Sequence, residues 1–139
     1  MLLDIARDKL ETAARLLGIE RSALTAEKDK LEMLVSYHAQ YESSSQQNAR
    51  NGVTALQMRN ATEFLQRLNH AIEQQKAQIK IVDGRISLSV QEVAQAQSEV
   101  RKYQTLLERK AEEQRQQSAR REQKLSDEYA SRLVRHIQE

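Results

Sequence analysis

Leucine returns every seventh residue at Leu3, Leu10, Leu17, Leu24 and Leu31, and a second unbroken series runs Leu65, Ile72, Ile79, Ile86, Val93, Val100 and Leu107. Seven residues are close to two turns of α-helix, so each series stacks on one helical face, and a face of that kind is buried against another helix. No other feature narrows the possible folds as far. With both series taken as position a of a heptad, position d holds Ala6, Ala13, Glu20, Glu27, Leu34 and Tyr41 in the first segment. In the second it holds Leu68, Gln75, Val82, Ser89, Ala96 and Tyr103. The d row is weaker than the a row and partly polar.

The rest of the composition fits a coiled coil. Of 139 residues only 4% are aromatic and 30% are charged, too few bulky groups for a thick globular core. There is no proline, there are three glycines, and Ala, Glu, Lys, Leu, Arg and Gln fill long stretches. These residues lose little rotamer freedom in a helix, so the expected class is all-α. The chain has no cysteine, which excludes a disulfide framework and thiol chemistry and suits a reducing, cytoplasmic setting. No run approaches the roughly 20 apolar residues that span a bilayer. The start, MLLDIARDKLE, mixes acid and base too early for a signal peptide. A soluble protein that is not exported is expected.

Between the two series lies ESSSQQNARNGVT, with Asn51-Gly52 as the strongest turn signal. The chain is expected to reverse there. Thr54 and Asn60 each stand three residues before a Gln or Glu, so helix two can start at either. The predicted organisation is a single coiled-coil hairpin over residues 1–139: helix one about 2–45, a bend about 46–59, and helix two about 60–136. In an antiparallel pair each a residue faces a d residue. The setting that keeps the bend near Gly52 pairs Leu24 with Val82, Leu10 with Ala96, Leu3 with Tyr103 and Leu34 with Ile72. A slip of seven residues keeps the heptads but needs a tighter bend. Helix one ends near the level of residue 105, so the chain from LERKAEEQRQQSARREQ onward forms a C-terminal helical overhang whose a positions turn polar at Gln114 and Arg121. Gly18 and Gly84, inside helices, mark either a bend or a close helix approach.

The stretch FLQRLNHAIEQQKAQI, residues 64–79, carries a second apolar stripe, because Phe64 and Ala71 stand beside the seam and are not needed by it. They occupy position g, as does Tyr37, and the g positions of antiparallel helices share one flank. With the adjoining Leu34, Tyr41 and Leu68 they make one patch near the bend, and apolar patches with aromatic anchors are characteristic partner sites. The other reading has Leu34, Leu68 and Tyr41 as plain seam residues with the loop folded over Phe64.

Other chemistries find little support. His38, His70 and His136 are scattered, no carboxylate cluster or glycine-rich phosphate loop is present, and a two-helix rod encloses no pocket. The expectation is therefore no enzyme activity, no metal, no cofactor and no small-molecule substrate. Residues 101–139 hold ten basic and seven acidic groups against six and eight in residues 1–42, so the overhang is the basic end. Nucleic acid is not expected as a partner, because Glu112, Glu113, Glu122 and Glu128 interrupt the basic residues. Direct membrane-surface binding is set aside as well, for want of a Phe or Trp face beside the arginines.

Taken in order, ETAARLLGIERSAL, LEMLVSYHAQY, NATEFLQRLNHAIEQQ and RKYQTLLERKAEEQRQQ closely resemble the FliJ family, small soluble components of the bacterial flagellar type III export apparatus. The likeness spans about residues 10–130, and Tyr37 and Tyr41 followed across the bend by Phe64 are more specific than the heptads. The resemblance implies a two-helix antiparallel coiled coil similar to the central stalk of rotary ATPases. It implies partners in the export ATPase FliI, the export gate protein FlhA and export chaperones, with peripheral association to the inner-membrane apparatus through those proteins. The family's gate contact maps onto Leu34, Tyr37, Tyr41, Phe64, Leu68, Ala71 and Gln75, where Gln75 replaces a histidine common in relatives. VTALQMRN also has Met58 where some relatives carry an aromatic. Arg109, Lys110, Arg115, Arg120 and Arg121 on the overhang are the candidate contacts to the ATPase ring. Two other functions fit a helical hairpin: a cytosolic chaperone or adaptor for a secreted subunit, or the equivalent stalk of a virulence type III system.

Overall fold

The structure, a computed structural model, describes residues 1–138. Two α-helices account for nearly all of them, α1 over Leu2–Arg50 and α2 over Ala55–Gln138, and no strand occurs among the described residues. The chain is an all-α helical hairpin.

The bend is shorter than the sequence predicts. α1 does not stop near residue 45 but continues through the Ser- and Gln-rich segment to Arg50. Such residues each cost only about 0.5 kcal/mol against alanine, too little to halt a long helix that gains one hydrogen bond per added residue. The helix ends where glycine supplies what other residues resist. Gly52 has φ of 92°, the left-handed conformation common just past helix C-termini. Asn51 N–H still donates to the Gln47 carbonyl at 3.1 Å, and Gly52 N–H reaches the Ala49 carbonyl at 3.4 Å. α2 starts at the first of the two candidate caps. Thr54 Oγ1 accepts from Gln57 N–H and the Gln57 side-chain oxygen accepts from Thr54 N–H, each at 3.1 Å, a closed capping box. The Asn60 alternative lies inside α2.

Packing divides the chain into two compact units. Within Leu10–Gln95 the two helices run antiparallel and bury the heptad seam. Leu68, Ile72, Val82 and Ser89 are buried, and Leu10, Leu17, Leu24 and Leu31 are half-buried opposite them. Cross-helix contacts identify the register. In the setting that pairs Leu24 with Val82, Tyr41 faces Leu65 and Glu20 faces Ile86. The observed partners of Tyr41 and Glu20 are Phe64 and Arg85, each one residue from that position. The slipped setting would place Met58 opposite Tyr41, six residues and about 9 Å of helix rise from Phe64.

The other unit comprises Met1–Lys9 and the chain from Ala96 onward. Ala6 and Val100 are buried there, and Leu3 and Tyr103 are half-buried. From Thr105 to the end of α2 every described residue is exposed, including Leu107, the last member of the apolar series. This is the expected overhang.

Neither helical glycine marks a close approach. A Cβ added at Gly18 or Gly84 meets nothing within 4 Å. Gly18→Ala and Gly84→Ala are therefore each expected to stabilise the hairpin by about 0.5–1 kcal/mol, since alanine fits the helix and narrows the unfolded ensemble. Urea unfolding followed by circular dichroism should show the two gains adding. A loss at either site would mean the backbone there departs from helix.

Candidate protein-docking site

Near the bend, position g brings Tyr37 of α1 and Phe64 of α2 to the same flank. The rings meet edge-on, with centroids 6.2 Å apart and an interplanar angle of 81°. Tyr41, one helical turn further along α1, lies closer to Phe64, at 4.5 Å and 52°. The two tyrosines clasp Phe64 between the helices, so its partial burial comes from α1. The loop residues Asn51–Thr54 are themselves exposed. Aromatic pairs in these geometries contribute about 0.5–1.5 kcal/mol beyond the area they bury. Tyr37 remains 49% exposed and presents the accessible side of the cluster.

The other expected members of the patch divide by depth. Leu68 is only 8% exposed and belongs to the seam, so it supports Phe64 from beneath and is not surface. Leu34 and Ala71 are half-buried at the seam edge. Gln75 turns inward: its amide donates to the Glu27 backbone carbonyl at 2.8 Å and also to the Glu27 carboxylate. Together with the Arg85–Glu20 ion pair at 3.5 Å, this contact gives partners to three of the polar d positions. Polar seam residues of this kind specify register at some cost in stability.

His38 sits at an a position with its Nδ1 3.8 Å from Glu42, while its buried Nε2 has no hydrogen-bond partner. Near the bend lies an open cleft of about 760 Å³, lined by residues that include Tyr41, Ser45, Gly52, Met58 and Leu65. No cluster of His, Cys, Asp or Glu able to hold a metal occurs among the described residues. No helix among them is long and apolar enough to cross a membrane.

On the overhang Arg109, Lys110, Arg115, Arg120 and Arg121 are all exposed, with Arg115 bridged to Glu112 one turn before it. Two exposed apolar rows were not anticipated from the sequence. Leu125, Tyr129, Leu133 and Ile137 follow at four-residue steps along the end of α2 and stay within a third of the helix circumference. Leu16, Ile19 and Met33 lie along α1 on the flank that carries Tyr37. Both rows fall outside the heptad a and d positions and so form no part of the seam.

The fold defines a two-helix coiled-coil hairpin with an aromatic cluster on one flank, and the comparisons with known proteins narrow that class. The family model described as "Flagellar FliJ protein" matches residues 1–139. The chain belongs to the flagellar FliJ family, and so to type III protein export. It is 30% identical over 133 residues to the flagellar FliJ protein of Salmonella typhi, a match covering 96% of this chain and 90% of that one. Against the flagellar FliJ protein of Escherichia coli (strain K12) the identity is 29% with the same coverage. A solved structure described as a putative YscO homolog, CT670, from Chlamydia trachomatis superposes with a TM-score of 0.65. It shares 18% identity, over 99% of this chain and 90% of that one, and so attests the fold alone.

Proposed function

We propose that this protein is a cytoplasmic, stalk-like connector of the flagellar export machine, with the export gate protein FlhA held at the bend end and the ATPase FliI at the overhang. Export chaperones are its further partners, and it meets the inner-membrane apparatus only through proteins. The observation that carries this reading is the Tyr37–Phe64–Tyr41 cluster. It gathers rings from both helices on one flank and leaves Tyr37 half exposed, as a contact for a partner segment requires. Leu34, Leu68, Ala71 and Gln75 act from below and beside the cluster: they fix the spacing of the two helices on which the rings stand.

The overhang supports the second half of the proposal. Its basic residues can steer association with an acidic surface, and the row Leu125, Tyr129, Leu133 and Ile137 supplies apolar area that nothing in its own unit covers. Truncation after Leu107 removes both features without touching the seam. The truncated protein should lose ATPase-ring retention in pull-downs while still holding the gate segment. Ring retention that survives truncation would refute the assignment of the overhang.

A further inference from the structure

Below Tyr37, the outer flank of α1 carries a second seam. Leu16, Ile19, Ala23, Ala26 and Met33 follow at three- and four-residue steps, with Lys30 at the one interposed position. They occupy g and c, beside the row that packs on α2. Leu16, Ile19 and Met33 are half to two-thirds exposed. A stripe of this spacing is the pattern that buries a helix against another helix, yet Leu16, Ile19 and Met33 on it stay open to solvent among the described residues.

The order of residues along the stripe indicates what covers it. Its positions are symmetric about the midpoint between Leu24 and Thr25, so a second copy turned end over end meets the first in kind. Leu16 comes opposite Met33, Ile19 opposite the aliphatic stem of Lys30, and Ala23 opposite Ala26, where two small side chains let the helices approach closely. Charge selects the direction. Arg15 and Asp29 border the stripe at the same heptad position, both exposed and neither in an ion pair among the described residues. The antiparallel arrangement puts Arg15 of each copy on the same flank as Asp29 of the other, offset by five residues or about 7.5 Å of helix rise, a gap these side chains can span, twice by symmetry. A parallel one would oppose Lys30 to Lys30 and put Arg15 of each copy on the flank away from Asp29 of the other. We propose that two copies of this chain associate through the outer stripe of α1 as an antiparallel, two-fold dimer. The proposal is independent of which export proteins the bend and the overhang hold.

Sedimentation equilibrium of the full chain tests it. The wild type should move with rising concentration from 16.0 kDa toward twice that mass. Leu16→Glu with Met33→Glu should stay monomeric throughout, with unchanged helicity, because both sites face solvent in the single chain. Arg15→Asp should weaken association about tenfold, and adding Asp29→Arg should restore it. A wild type that remains monomeric up to about 1 mM overturns the proposal. So does a dimer that persists in the Leu16→Glu, Met33→Glu variant, since it would use another face. If the wild type stays monomeric while those two substitutions abolish retention of another export component, the stripe belongs to a foreign helix and the proposal fails.

Discussion

Val82→Asp is expected to abolish the cooperative thermal transition of the hairpin, while Ile81→Asp, one residue earlier, should leave stability within about 0.5 kcal/mol of wild type. Val82 is 1% exposed and Ile81 is 58% exposed, so the pair isolates burial from helix propensity and local charge. At position 82 a carboxylate would lie in the buried seam, where the nearest cation along the helix, Arg85, already pairs with Glu20. It must be buried charged and unpaired or take up a proton, and either outcome costs several kcal/mol. A domain of this size has about 5–15 kcal/mol in total, and a two-helix seam with no third layer belongs at the low end. Val82→Ala should fall between, losing about 2 kcal/mol to lost transfer energy and the cavity left behind. Thermal melts followed by far-ultraviolet circular dichroism separate the three. A near-normal melt for Val82→Asp would mean that the heptad seam does not hold the helices together.

The seam was legible because its signal is long. Over many turns, only one antiparallel setting satisfies the a and d rows of both helices and still leaves a bend that glycine can close, and Tyr41 against Phe64 and Glu20 with Arg85 agree with it. The helix ends were less legible because their signals are short. Thr54 and Asn60 offer the same capping pattern, and the choice falls to Thr54, where Gln57 returns the bond. Nor does the run Ser43–Ser45 end a helix by itself, since each serine opposes it by only a fraction of a kcal/mol. For the candidate site, spacing identified the flank but not the depth. Leu68 and Gln75 share the patch in sequence, yet one is sealed in the seam and the other is held by Glu27. The outer stripe of α1 was hidden for a different reason. Lys30 interrupts it, and the neighbouring g positions of α2, Gln78, Arg85 and Glu92, are polar, so the flank reads as solvated unless α1 is followed by itself.

If the bend-end cluster holds the gate segment, Tyr37→Ala should weaken that binding about 30-fold and Phe64→Leu by a similar factor. Buried aromatic anchors commonly account for about 2 kcal/mol each, and 1.4 kcal/mol is tenfold in affinity. The two effects should not add. Tyr37 and Phe64 touch edge-on, so removing either ring also frees the other, and the double variant should lose less than the product of the two factors. Stability offers the control. Tyr37 is half exposed, so its loss should cost only about 1 kcal/mol, through the pair with Phe64, and leave helicity unchanged, and Phe64→Leu keeps an apolar side chain between Tyr41 and the seam. Leu68→Ala cannot serve in this test, because a seam residue that is 8% exposed should cost about 2–4 kcal/mol of stability on truncation and would lower binding by loosening the fold. Gln75→Ala should also act through the fold: it removes the contacts to Glu27, so its effect should appear in the unfolding midpoint before it appears in affinity. Titration of a gate-derived peptide by calorimetry, with circular dichroism on the same samples, distinguishes these cases. Wild-type affinity in the Tyr37→Ala, Phe64→Leu double variant would place the gate contact elsewhere on the molecule, and a matched loss of affinity and helicity would make both rings part of the core.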